Sequence, residues 1–252
     1  MQALITRPIE DAEPLAAALA ARGIAPVIEP LLAIRPLAAP IPDLATALDG
    51  AQAVLFTSAN GARAFARATA RRDLPVFAVG DATARAAAAL GFGAVASAAG
   101  DVDDLAALVA ARLDPERGAL IHAAGSAVAG DLAGRLEAAG FQLRRAVLYS
   151  ADPVAGLSAA TVAALRGLRI DAAFFFSPRT AAHFVTLARA ARIDDACRHV
   201  AALCLSPAVA GELSSLVWAR IVVAAAPEQR ALLAAFDGFL SGRHPAPGTA
   251  EG

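Results

Sequence analysis

Residues 53–66 read AVLFTSANGARAFA and residues 172–185 read AAFFFSPRTAAHFV. In both, a short apolar run closes on Ser or Thr and gives way to a stretch of helical composition, which predicts a strand followed directly by a capped helix. The second stretch restates the first. Two other pairs do the same: GALIHAAG, a helical stretch, Gly140 and RRAVLYSADP restate ALITRP, a helical stretch, Gly23 and PVIEPLLAIRP, while ALCLSPAVAGEL restates VFAVGDATARAAAAL. The chain therefore carries two copies of one module.

Working outward, the apolar runs ALITR, PVIEPLLAI, VLFTS, VFAVG, GAVAS, ALIHAAG, RRAVLYS, AAFFFS, HVAALCLS and ARIVVAAA alternate with alanine-rich segments of helical length. Ten strands separated by helices predict an α/β fold with mostly parallel sheets. Helix punctuation agrees, with Pro8, Glu10 and Asp11 at a first turn and Gly23 after Arg22 at a stop. The repeat leaves two arrangements open. The modules stand either in tandem or interleaved, with the amino terminus joining the last third of the chain.

Composition removes several function classes. Hydrophobic residues make up 58% of the 252 and mean hydropathy is +0.55, but the longest uncharged run, Ala86 to Gly100, has 15 residues and three glycines. That is too short and too broken to span a bilayer. Arg7, Glu10, Asp11 and Glu13 follow one short apolar stretch, which leaves no room for a signal peptide, so a cytoplasmic location is expected. Net charge is −1 and all 22 basic residues are arginine, so neither a basic tail nor a patch predicts nucleic acid. The lack of lysine removes Schiff-base chemistry, pyridoxal-phosphate attachment and the Walker phosphate lysine. Cys197 and Cys204 are the only cysteines and no histidine pair sits at ligand spacing beside them, so no zinc site or other metal site and no disulfide is expected.

In open α/β sheets ligands bind where strands end and helices begin. The polar residues at those points are Thr6 and Arg7; Thr57, Ser58 and Asn60; Gly80, Asp81 and Thr83; Gly125 and Ser126; Ser177; and Ser206. Ser177-Pro178 and Ser206-Pro207 also fit plain helix caps with proline at the first helical position. Turned toward one cleft, such ends form a surface of donors with few titratable groups, suited to a large, flexible polyanion. Tyr149, the only tyrosine, closes AVLYS and either donates a proton in that cleft or packs with its hydroxyl wet. His122, His183, His199 and His244 have no acid or nucleophile partner placed by spacing, so none is assigned a catalytic role. Ser58 is not in a G-x-S-x-G elbow and VGDATARAAAALG lacks the dinucleotide fingerprint, which weakens hydrolase and dehydrogenase readings.

TRP at the start, PLLAIRP, FTSANG, FAVGDATA, GFQLRRAVLYS, FFFSP and a late SPAVA, in this order over residues 1–240, resemble the uroporphyrinogen-III synthase family. The resemblance implies two flavodoxin-like lobes, each a parallel five-stranded sheet, joined by a two-strand hinge with interleaved connectivity. One lobe would hold residues 1–36 and 158–243 and the other 45–147, with linkers at 37–44 and 148–157 and a disordered tail at 244–252. It implies a cofactor-free reaction on hydroxymethylbilane, a linear tetrapyrrole with eight carboxylates. The terminal hydroxyl departs to leave an azafulvene, ring D is inverted through a spiro intermediate, and the ring closes as uroporphyrinogen III.

By this resemblance Tyr149 is the candidate to assist the leaving hydroxyl. Arg7, Thr57, Ser58, Asn60, Gly80, Thr83, Gly125, Ser177, Pro178 and Ser206 are candidate substrate contacts. The last motif departs from many members, which carry glycine and then threonine where this chain has Ser206 and Val209. A monomer is expected, since no apolar helix face or heptad is left over, with transient contact to the preceding hydroxymethylbilane synthase. Two alternatives stand beside this reading: a hinged two-lobe module that binds an anion without reaction, and a degenerate synthase domain kept for regulation.

Overall fold

The apolar runs fold as strands and the alanine-rich segments as helices throughout residues 1–37, 41–127 and 130–243, which the computed structural model describes. In chain order the elements are β1 (Gln2–Ile5), α1 (Ile9–Ala20), β2 (Ala25–Ile28), β3 (Leu32–Pro36), α2 (Ile41–Leu48), β4 (Ala51–Phe56), α3 (Ala59–Ala68), β5 (Val76–Ala78), α4 (Asp81–Ala89), β6 (Val95–Ser97), α5 (Val102–Arg112), β7 (Ala119–Gly125), α6 (Leu132–Ala138) and β8 (Leu143–Pro153). They continue with α7 (Ala159–Arg166), β9 (Ala172–Phe175), α8 (Pro178–Ala190), β10 (Ala201–Cys204), α9 (Pro207–Leu213), β11 (Arg220–Val223) and α10 (Gln229–Arg243). The expected linker 37–44 falls partly, and the expected tail with His244 wholly, outside the described residues.

Among the described residues two compact units result, one formed by Met1–Ala33 with the residues from Pro153 to Arg243, the other by Ile34–Asp152. In the first, the sheet order is β11-β10-β9-β1-β2 and every neighbouring pair is parallel. In the second, the order is β3-β8-β7-β4-β5-β6, and the pairs from β8 to β6 are parallel.

Successive residues of a strand point to opposite faces, and each unit uses this to build two cores. Val54 and Phe56 of β4 pack in one cluster with Phe65 and Ile121, while Ala53 and Leu55 pack in another with Leu105 and Leu120. In the first unit Leu4 joins Phe175 and Phe184, and Ala3 and Ile5 join Phe174 and Phe236 on the other face. This double-sided burial explains why the central strands read as continuous apolar runs.

Two sequence expectations need correction. PVIEPLLAI does not form one strand: it divides into β2 and β3, which lie in different sheets, so the described residues hold eleven strands where the sequence predicts ten. Glu29 and Pro30 make the break. The Glu29 side chain turns inward to accept hydrogen bonds from the Ser158 N–H (2.9 Å) and from the hydroxyls of Ser158 and Thr161, and proline has no N–H to continue a ladder. As a result the second sheet has six strands rather than five, because β3 hydrogen-bonds along β8.

Candidate active site

Strand order reverses once within each sheet. In the second unit β4, β5 and β6 step one way through α3 and α4, whereas β7 and β8 step the other way through α6, so the chain diverges between the ends of β4 and β7. In the first unit the same divergence lies between β1 and β9. Crevices at such points are where open α/β sheets hold ligands.

At the end of β4 the chain turns through Thr57 and Ser58 into α3. Ser58 is the N-cap, and its Oγ accepts a hydrogen bond from the Gly61 N–H at 3.1 Å. The first turn of α3 lies hard against β7, since a Cβ on Gly61 would stand 2.6 Å from the Ala123 carbonyl oxygen. Only glycine permits that approach.

Tyr149 reaches the same point from β8. Its hydroxyl hydrogen-bonds Ser58 Oγ at 2.8 Å, and its ring is buried, 9% exposed, in the cluster of Phe56, Phe65 and Ile121. A bulge sets this aim. Ala124 pairs with Val147 but Gly125 pairs with Tyr149, so β8 carries one extra residue at the crevice. Gly125 supplies the floor, since a Cβ there would lie 2.9 Å from Cζ and 3.2 Å from the hydroxyl of Tyr149.

On the opposite face of the sheet, Thr57 Oγ1 lies 3.0 Å from His122 Nε2. His122 is 4% exposed. Burial and, second, the nearby Arg145 guanidinium bring its pKa down to about 4, so the imidazole is neutral at neutral pH. Arg145, the β8 partner of His122 in register, donates from Nη2 to the carbonyls of Gly125 (2.7 Å) and Ser126 (2.9 Å).

The other expected contacts are more dispersed. Asn60, in the first turn of α3, accepts from Arg63 at 2.7 Å. Gly80 is the N-cap of α4 with open space where a Cβ would sit, and Thr83 is buried one turn on. In the first unit Ser177 caps α8 through the Thr180 N–H (3.2 Å) with Pro178 at the first helical position, and Ser206 caps α9 through Val209 at 3.4 Å. Arg7 places its guanidinium 4.3 Å from the Phe176 ring centroid and donates to Gln229 Oε1 at 3.3 Å.

The structure thus brings Thr57, Ser58, Gly125 and Tyr149 together in one unit, and adds His122, Arg145 and Gly61. Spacing gave no sign of the Thr57–His122 bond, of the reach of Arg145 to the end of β7, or of the close approach of Gly61 to β7, because each joins residues on different elements. Cys197 and Cys204 are buried, and burial pushes both thiols up to about 12, which removes a thiolate nucleophile at neutral pH. Among the described residues no helix is long and apolar enough to cross a membrane.

No curated protein sequence matches the chain. Among solved structures it is similar to a mutant uroporphyrinogen III synthase from the extremely thermophilic bacterium Thermus thermophilus, at 18% identity and a TM-score of 0.57, over 96% of this chain and 98% of that one. It is similar also to uroporphyrinogen-III synthetase from Helicobacter pylori, at 15% identity and a TM-score of 0.59, over 95% and 100% of the two chains. At these identities the likeness extends to the fold, a mixed α/β architecture with parallel sheets. The family model described as "Uroporphyrinogen-III synthase HemD" matches residues 13–234, so the chain belongs to the uroporphyrinogen-III synthase family.

Proposed function

We propose that this member of the family closes hydroxymethylbilane with inversion of ring D and loss of water, and that Tyr149 assists the departing hydroxyl. Membership of the family assigns the chain to tetrapyrrole biosynthesis; the role of Tyr149 rests on its 2.8 Å hydrogen bond to Ser58. Ser58 Oγ already accepts from Gly61 at the positive end of α3, so its own hydrogen is available to the Tyr149 oxygen. The phenol O–H then points outward as a donor, and the substrate hydroxyl leaves as water on receiving that proton. No cofactor is needed for this step.

The rest of the task is orientation of a flexible chain that also closes, without inversion, free in water. Thr57, Ser58, Asn60, Gly80 and Thr83 are proposed contacts in the second unit, and Arg7, Ser177, Pro178 and Ser206 in the first, where N–H groups, hydroxyls and a guanidinium suit carboxylate arms. Gly125 we assign to seating the Tyr149 ring. The two units are proposed to be the two interleaved lobes of a flavodoxin-like pair, with β3 and β8 as their connecting strands. A cytoplasmic monomer that meets hydroxymethylbilane synthase transiently completes the proposal.

The test is to supply freshly generated hydroxymethylbilane, oxidise the products and separate type I from type III porphyrin. Predominantly type III is expected. Type I alone, formed at the rate seen without protein, would overturn the enzymatic reading and leave a binding module.

A further inference from the structure

On the Thr57 side of the β4/β7 divergence, three polar side chains stand on one face of the sheet: Thr57 just past the end of β4, His122 on β7 and Arg145 on β8. Thr57 follows Ala53 and Leu55 in the alternation of β4, and His122 follows Leu120 in that of β7, so both face away from Tyr149. Arg145 stands beside His122 in register. Around them β7 is otherwise Ala, Leu, Ile and Gly, and a buried imidazole is unfavourable there unless it is hydrogen-bonded. Its bond is to Thr57.

We infer that Thr57, His122 and Arg145 form a subsite for one carboxylate arm of the substrate, with Arg145 supplying charge, Thr57 a neutral donor, and His122 the direction of the Thr57 hydroxyl. A neutral imidazole has one N–H and one acceptor nitrogen. Held with the proton on Nε2, it donates to Thr57 Oγ1, and the Thr57 hydrogen is free to point at an anion. The opposite tautomer takes that hydrogen and leaves lone pairs facing the ligand, so an anionic ligand selects the first. Arg145 is anchored by the two carbonyls at the end of β7 through Nη2 alone. Among the described residues the rest of its fork has no hydrogen-bond partner, which leaves an edge suited to a carboxylate. His122 is a positioning residue in this arrangement, acting through Thr57.

This inference rests on the proposed reaction for the identity of the anion, and its test separates the two. Turnover of hydroxymethylbilane and the Kd for uroporphyrin III, an octacarboxylate macrocycle, are measured for the wild type, Arg145→Gln, Thr57→Val, His122→Leu and His122→Asn. Arg145→Gln and Thr57→Val are expected to raise KM and Kd about tenfold, the size of one lost charge-assisted or neutral contact, with the larger part of the change in KM rather than kcat. His122→Leu should raise both severalfold, and His122→Asn, whose amide can donate to Thr57, should recover most of the loss. Arg145 is exposed, so its variant tests the subsite even where His122→Leu fails to fold. KM and Kd within twofold of wild type in folded Arg145→Gln would overturn the subsite. A wild type that makes no type III product but binds uroporphyrin III more tightly than Arg145→Gln would overturn the reaction and keep the subsite.

Discussion

The hydroxyl of Tyr149 lies 2.8 Å from Ser58 Oγ, the cap of α3, although 91 positions separate them in the chain. A phenol held by a capped serine is fixed in direction, which a proton donor requires and a merely buried ring does not. Tyr149→Phe keeps the ring in its cluster and removes only the donor. It is expected to lower kcat on the order of 10²-fold, the lower part of the range for general acids, with little change in KM. Steady-state kinetics with correction for spontaneous closure checks this, and a kcat within twofold of wild type would remove Tyr149 from the chemistry.

Gly125→Ala tests the same group without touching it. The added methyl would stand 2.9 Å from Cζ of Tyr149, closer than van der Waals contact allows, so the ring must shift. Overpacking of this kind typically lowers stability by about 1–3 kcal/mol. The expected outcome is a folded protein with a lower melting temperature and reduced kcat, and Gly125→Ala should lower kcat no further when added to Tyr149→Phe. Additive losses in the double variant would show that Gly125 acts elsewhere.

Strand ends and caps were legible because they are local. Ser58, Ser177 and Ser206 each follow an apolar run and bond within three residues, so the signal and the interaction share one window. The parallel α/β class was legible for the same reason. What joins distant strands was not. The Thr57–His122 bond spans 65 positions, and the aim of Tyr149 depends on a one-residue bulge between β7 and β8, which no periodicity announces. The division of PVIEPLLAI was hidden because Glu29 reads as a charge in a strand, and only its partners Ser158 and Thr161, more than a hundred residues away, show it to be a turn into the interior.

Stability should fall in mild acid through His122. Its folded pKa of about 4 lies below the ordinary 6.5, so between these values the unfolded chain binds a proton that the folded chain does not. The contribution is fully present above about pH 6.5, shrinks as pH falls, and is lost by about pH 4; at most it amounts to about 3 kcal/mol. Urea midpoints at pH 7 and pH 5 are expected to differ more in the wild type than in His122→Asn, which cannot take up the proton. Equal differences would mean that His122 titrates normally in the folded protein.

Glu29 is expected to matter most for the first unit's folding rather than for turnover. Its carboxyl group accepts from the N–H and hydroxyl of Ser158, which caps α7, and from the Thr161 hydroxyl, and the side chain is 6% exposed. Glu29→Ala would leave these donors without their acceptor in a buried place, and each such loss costs about 1–3 kcal/mol. Glu29→Gln keeps one acceptor oxygen, so it should lose less. Denaturant unfolding of the two variants, followed through Trp218, which packs against the core containing Phe175 and Phe184, reports on the unit that holds Glu29. A loss of several kcal/mol in Glu29→Ala with roughly half of it recovered in Glu29→Gln supports a folding role. An unchanged unfolding curve in Glu29→Ala would show that the carboxyl group is solvated and that the break between β2 and β3 is due to Pro30 alone.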